Sequence, residues 1–582
     1  MFGISGTTFS NALWAPGAAN GALTQMQTVG PHSAHPDVQL YKDYYKGFEP
    51  AVGLSWSIPY FGKRQTVLRA GYTWTRPMSQ SFLSIDGSVP SFGTSATFTP
   101  ATATFLNSVN LPLSPTFSNP LQTWPVNDKT QNISTYDPNF VPPVVQNFNV
   151  SLEREVSSTF TVAVRYVGNK STHLPGGYDL NWPNVFENGI LDATTVTAQG
   201  GNAALFDRIL NGVNVPGVGV VDGKNITGSQ ALRAYTGTFN FLASNSAAAL
   251  ASFFNTTLSL QPTATATRGG VLANANLPAN FVSVNPQYNR ASFTCACLNA
   301  FYNSVDFELR KRLSSGITFQ QNFVWAKNMQ LNGTSRNARN WNLDRTEGGQ
   351  KYTYKASGTY QLPVGKGQQF LNATSGVAGL ASKILGGWQS GGILTVNSGS
   401  YLTIQCSGSN PIGGANNCNS VAPLPKDPGH IIKNSTGVVY YDSNVLTQVN
   451  DPFCNSLTTQ QNLQSRCTFK AMAYNGQTLF ANAPTGTLGT MANVTNWRGP
   501  GLFDLDMNIL KRFTVREGMT AEFRLDGIAI TNTPHFTNPN LNVNGQTFGR
   551  ISAPSSNGSN SFTTPAPFFG NRVFVGNLRL SF

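Results

Sequence analysis

Near the end of the chain, ionisable residues fall at even spacings: Asp504 and Asp506, then Glu522, Arg524 and Asp526. On a strand, positions two and four apart project from the same face. Carboxylates so paired are the minimum that general acid–base chemistry requires. Arg524 interrupts the acids, however, and Arg579 adds a further cation in the last stretch. That alternation of sign predicts ion pairs and contacts with a passing polar solute. All six residues are candidates for the lining of a water-filled lumen. HExxH, GxSxG and CxxC do not occur, so neither an enzyme activity nor a cofactor is expected.

Three other groups carry a chemical signal. His32 and His35 have a metal-like spacing but lie in a stretch without periodicity, which reads as solvated loop. GVGVVDGK at 217–224 approaches a phosphate loop. Its first glycine is misplaced for GxxxxGK, and Asn225 stands where Ser or Thr would bind magnesium. The six cysteines are Cys295, Cys297, Cys406, Cys418, Cys454 and Cys467. None falls in a clear strand, and the even count points to loop disulfides in an oxidising compartment. Cys406 with Cys418, and Cys454 with Cys467, would close short loops; the connectivity, including that of Cys295 and Cys297, stays open.

The elements that would position these groups are strands. Val52, Leu54, Trp56 and Ile58 alternate with Gly53, Ser55 and Ser57, and Leu68, Ala70, Tyr72 and Trp74 with Arg69, Gly71 and Thr73. The same two-residue period recurs at 148–152, 160–166, 305–309, 317–325, 503–509, 521–525 and 572–582, and less cleanly at 352–361 and 388–404, giving about eleven strands. Short connections at 59–65, 155–159, 312–316 and 513–518 alternate with long ones at 77–144, 168–300, 405–500 and 532–571. Tight turns on one rim and long loops on the other are the asymmetry of an outer-membrane barrel. Trp56, Tyr72, Trp74, Tyr166 and Trp325 cluster at strand ends, as an interfacial girdle requires. Within 168–300, the segments 203–210 and 247–254 read as short helices, although the apolar content looks thin for an inserted domain.

Charged residues make up 11% of the 582 residues against roughly 25% in ordinary globular proteins. Mean hydropathy is only −0.18, and no apolar run approaches the length of a spanning helix. The net charge of +13 is spread over strand ends and turns, which favours anionic lipid over nucleic acid as the partner. Residues 1–47 contain no basic and apolar leader, so export predicts further chain upstream. The stretch reads as an N-terminal fragment or extracellular loop ahead of a barrel spanning 48–582.

The stretches YNSVDFELRKRLSSGITFQQNFVWAKNM (302–329), LPVGKGQQF with LGGWQSGGILTVNSG (within 362–399) and GPGLFDLDMNILKRFTVREGMTAEFRLDGIAITNTPHFTNPN (499–540) resemble the TonB-dependent transporter, Oar-like β-barrel family. FEPAVGLSWSIPYFGKRQTVLRAGY and FNVSLEREVSSTFTVAVRYVGNKSTHL fit the same pattern. The resemblance implies an all-β, antiparallel transmembrane barrel in the bacterial outer membrane with long extracellular loops, of which this chain is the C-terminal half; plugged transporters have 22 strands. It further implies uptake of an unidentified ligand. The partners it implies are outer-membrane lipid and lipopolysaccharide, the barrel-assembly machinery through the C-terminal strand, and the TonB complex only through a plug domain that does not precede residue 48. The other readings are a surface binding or adhesion barrel without transport, and an inactive truncated product.

Overall fold

Ser315 and Gly316, both at positive φ (53° and 76°), close a two-residue turn between two long strands. That turn type suits the right-handed twist of a hairpin, and a Cβ on Gly316 would lie 3.0 Å from the Gln361 carbonyl. The hairpin is the centre of a single antiparallel path of eleven strands. In chain order they are β1 (Ala51–Ser57), β2 (Thr66–Thr75), β3 (Val144–Ser157), β4 (Phe160–Asp179), β5 (Arg290–Ser314) and β6 (Ile317–Leu331). The path continues through β7 (Tyr352–Gln361), β8 (Trp388–Asn397), β9 (Leu502–Arg516), β10 (Met519–Ile528) and β11 (Val573–Ser581). Each strand pairs with its neighbour in sequence, and two short segments add to the sheet: Asn132–Tyr136 runs parallel to β5, and Arg345–Gly348 pairs with β6. Among the described residues β1 and β11 are not paired with each other. The chain is represented by a computed structural model, which describes residues 16–23, 36, 37, 39, 41–77, 126, 129, 132–235, 241–256, 268–331, 345–406, 418–435, 437–454, 465–487, 496–551 and 571–582. His32 and His35 lie outside them.

The register gathers the apolar parity of every strand on one face. Crossing the sheet, one row runs Leu54, Ala70, Val150, Tyr166, Val305, Trp325, Tyr352. Another runs Gly392, Met507, Gly527, Phe574. The opposite parity carries Arg69, Asn149, Glu153, Arg165, Glu308, Gln320, Asp504, Asp506, Asn508, Glu522 and Arg524, so the second face is polar. The apolar face is open: Leu54, Phe307, Trp325 and Leu578 are exposed, Leu578 to 69%. A soluble protein does not leave an apolar surface this broad against water; against hydrocarbon it is the expected surface.

All the ends that meet tight turns lie on one rim: 157/160, 314/317 and 516/519, with the C-terminus of β11 beside them. The turns are shorter than the sequence pattern suggests, because the strands continue through 155–157 and 513–516. On the same rim, β7 and β8 are joined by a longer segment that contains a helix. The other rim carries the long connections. β4 and β5, at 20 and 25 residues, exceed the roughly 9–11 residues that cross a bilayer, and their far ends rise into the outer loops. Cys295 and Cys297 belong to this extension of β5, linked to each other; the expectation that no cysteine lies in a strand fails there. The strand expected over 388–404 stops at Asn397. Beyond it Gly399 crosses Gly499 so closely that a Cβ would lie 1.7 Å from the Gly499 carbonyl oxygen, and Leu402 and Ile404 turn into a separate core.

Adjacent residues of β9 test the two faces at one depth. Met507→Arg should destabilise the bilayer-inserted protein by about 2–4 kcal/mol, and Asn508→Arg by far less. Urea titration of folding into lipid vesicles reads the difference.

Candidate functional site: a charged face beneath two folded caps

The polar face carries ion pairs both across strands and between residues two apart on one strand, as strand alternation allows. Arg69 of β2 meets Glu153 of β3 at 2.8 Å. Glu308 of β5 receives the guanidinium of Arg165 from β4 on one oxygen and Arg310 at 2.6 Å on the other; Gln320 of β6 donates at 3.0 Å. Glu308 is 4% exposed. A carboxylate this covered is tolerated because three donor contacts replace its water. Arg512 of β9 reaches Glu522 of β10 at 2.5 Å, and Arg524 reaches Asp526 at 2.7 Å, which also accepts from Asn577 of β11 at 3.3 Å.

The structure thus distributes the six candidate lining residues along one end of a wider ladder. Glu522, Arg524 and Asp526 engage as ion pairs. Asp506 accepts the Ala529 backbone N–H at 2.8 Å and so fastens the bend that leaves β10. Asp504 is buried on the same face, and Arg579 stands opposite Glu522 in register. The largest cluster, Arg165–Glu308–Arg310–Gln320, escaped the sequence reading. The available signal was opposite charges on the polar parity of consecutive hairpins. Among the described residues no three His, Cys, Asp or Glu side chains converge as metal ligands. The segment 217–224 is also explained. The Asp222 carboxylate accepts the backbone N–H groups of Lys224, Asn225 and Ile226 at 2.8–3.0 Å, which hold its pKa down at about 2. Amides that would cradle a phosphate are already bound to the chain's own anion.

Above the long-loop rim the connections fold into two caps with cores of their own. The first lies between β4 and β5 and packs α1 (Ile190–Ala198), α2 (Ala204–Leu210), α3 (Gly228–Ala234), α4 (Ala247–Thr256) and α5 (Gly270–Asn274) around Ile190, Phe206, Leu210, Leu250 and Phe254. Thr227 starts α3 with a reciprocal capping box to Gln230. Apolar content that looks thin along the sequence is concentrated here by helical periodicity, so 168–300 holds a packed module. Asn181 locks its base by donating to the carbonyls of Asn285 and Tyr288 and accepting the Asn285 N–H. Lys129 is buried beside Asn255, and burial lowers its ammonium to about 8.

The second cap joins two separate connections, 398–501 and 529–551. Its four-stranded sheet comprises Asn419–Ser420, Gln477–Ala481, Lys470–Tyr474 and Leu446–Asn450; a three-stranded sheet adds Ile432–Asn434, Gly437–Val439 and Arg550–Ile551. Trp497 is the core, with its ring centroid 5.2 Å from that of Phe480 and 5.5 Å from that of Tyr441 and its indole N–H on the Pro425 carbonyl at 3.1 Å. Cys406 and Cys418 are bonded within this core, and Cys454 is bonded to Cys467 nearby. The caps touch where Asn245 of the first accepts the Gly486 N–H at 2.8 Å.

Burial separates the ion pairs energetically. Glu308→Ala removes a buried carboxylate with all three of its donors and should cost about 2 kcal/mol, whereas Glu153→Ala at the half-exposed Arg69 pair should cost less than about 1 kcal/mol. Denaturant midpoints of the two variants check the order.

The model of the family described as "Outer membrane beta barrel domain" matches residues 6–564. No curated protein matches. Among solved structures, the chain is similar to FpvA of P. aeruginosa bound to heterologous pyoverdines (7% identity, TM-score 0.26, 86% of this chain and 31% of that one). It is also similar to the ferric-catecholate import receptor Fiu of E. coli (8%, 0.25, 82% and 43%) and to the toluene transporter TodX of P. putida (9%, 0.18, 82% and 75%). It therefore spans less than half the length of the first two. With an antiparallel sheet that is apolar on one side and charged on the other, and a family match over nearly its whole length, the chain belongs to the outer membrane β-barrel domain family, and its place is the bacterial outer membrane.

Proposed function

We propose that the chain is part of the barrel of a TonB-dependent receptor of the Oar-like kind, which takes up a polar ligand across the outer membrane. The observation that carries this reading is the set of ion pairs on the polar face beneath the two caps, on β2 to β5 and again on β9 and β10. A barrel that served only to anchor an adhesin would need its apolar face and its caps. Charges of both signs on the polar face suit, in addition, contact with a passing polar solute. On this reading Asp504, Asp506, Glu522, Arg524, Asp526 and Arg579 line the passage, and the caps form the ligand-binding surface. Residues 48–582 form the barrel with its loops. The TonB complex acts through a plug domain outside these residues, and the C-terminal strand β11 addresses the barrel-assembly machinery. The edges of β1 and β11 present backbone groups that hydrocarbon cannot satisfy, so each requires a strand partner in the membrane.

The folded caps also suit the second reading, a surface binding barrel without transport. Comparing the spent medium of the native host with that of mutants lacking this gene or TonB separates the two. Transport predicts that the same compounds remain unconsumed in both mutants. A medium profile of the gene mutant identical to the wild type, with the TonB mutant altered, refutes transport.

A further inference from the structure

On the tight-turn rim, the 362–387 connection between β7 and β8 contains α6 (Gly376–Leu385), and its packing is inverted relative to a soluble helix. It buries its small residues, Gly379 and Ser382, and exposes Val377, Leu380 and Ile384 at the i, i+3, i+7 spacing of one stripe, with Leu385 beside them. Val377 is 87% exposed. The small side fits closely: a Cβ on Gly379 would sit 2.7 Å from the backbone of Thr374.

The helix is fixed to the apolar face of the sheet. Lys511, on the same parity as Ile509 and Phe513, donates its ammonium to the carbonyls of Lys383 and Ile384 at 2.6 and 2.7 Å. The Trp388 indole N–H donates to the Ile384 carbonyl at 3.1 Å. Capping cations suit a helix C-terminus, so the contact fixes the direction of α6 as well as its place. Between helix and sheet lies a cavity of about 950 Å³, with apolar walls from Trp388, Phe523 and Leu578 and with Lys366, Lys383 and Lys511 at its edge.

The geometry points to α6 as an interfacial anchor that lies in the periplasmic leaflet of the outer membrane and seats an anionic phospholipid, its acyl chains against Phe523 and Leu578 and its phosphate among the three lysines. Two observations choose lipid as the occupant. The exposed stripe and the cavity walls continue the apolar face that the barrel turns to hydrocarbon, and the cations at the cavity edge match a phosphate in sign. Short turns mark the periplasmic rim of outer-membrane barrels, which assigns the leaflet. Amphipathic helices with an apolar stripe and lysine flanks lie in the headgroup region in this way.

Two measurements test this on the full chain in its membrane. The six native cysteines are paired in disulfides, so an introduced cysteine offers a single free thiol for a bimane label. With brominated phospholipid in the bilayer, a label on Leu380→Cys should lose at least half its fluorescence, and one on Ser315→Cys in the tight turn should lose little. Equal quenching at both positions assigns the stripe to water or to a protein partner and overturns the anchor. Native mass spectrometry of protein extracted from an equimolar phosphatidylglycerol and phosphatidylethanolamine bilayer tests the headgroup. The wild type should retain phosphatidylglycerol several-fold over phosphatidylethanolamine, and the Lys366→Gln, Lys383→Gln double variant should lose that preference. Preference unchanged in the double variant overturns the headgroup site.

Discussion

A slip of one residue between any two neighbouring strands would exchange the faces of everything beyond it. Register is therefore the constraint on which the molecule depends. Successive pairings keep Leu54 in line with Val150, Tyr166 and Trp325, and keep Arg165 on the same face as its diagonal neighbour Glu308 and as Gln320. In hydrocarbon the backbone has no partner but the next strand. A misregistered strand would leave a charge such as Glu308 facing lipid while stranding its backbone groups at the rim. Ion pairs on the polar face and aromatic rows on the apolar face thus act together as register marks, each favourable in one alignment only.

The caps follow from the same economy of backbone hydrogen bonds. Connections of a hundred residues would expose much polar backbone and apolar surface if left unfolded above the rim. Each instead builds a small core, helical around Phe206 and Phe254 in one case and sheet-like around Trp497 in the other. The second core draws on two connections at once: Gln405 pairs with Leu541 and Val543 across the rim. That cross-link ties the ends of four strands, β8 to β11, into one unit. At the opposite rim a single helix, turned apolar side outward, extends the lipid-facing surface instead of covering it.

Strand positions were legible because period-two alternation is imposed locally by the two faces: each of the eleven strands on the sheet path overlaps a stretch of alternation, although β4 and β5 run well beyond theirs and β8 stops short at Asn397. What lies between them was not legible, since cap cores are assembled from residues far apart. Nothing local to Leu402 or Ile404 distinguishes a continuing strand from a buried loop, and Val543 completes their core from beyond β10. Likewise the acids at 504–526 announced a polar face, but Asp506 holds a backbone bend, a role visible only once Ala529 is placed beside it. Arg165 and Glu308 are 143 residues apart, a separation that no short-range pattern bridges.

One face of this sheet meets lipid and the other meets water. Nitroxide labels placed singly at 503–509 of β9 in lipid vesicles test it most directly. Accessibility to oxygen should peak at 503, 505, 507 and 509, and accessibility to an aqueous nickel chelate at 504, 506 and 508. A profile without a two-residue period, or with the two reagents exchanged, would contradict it.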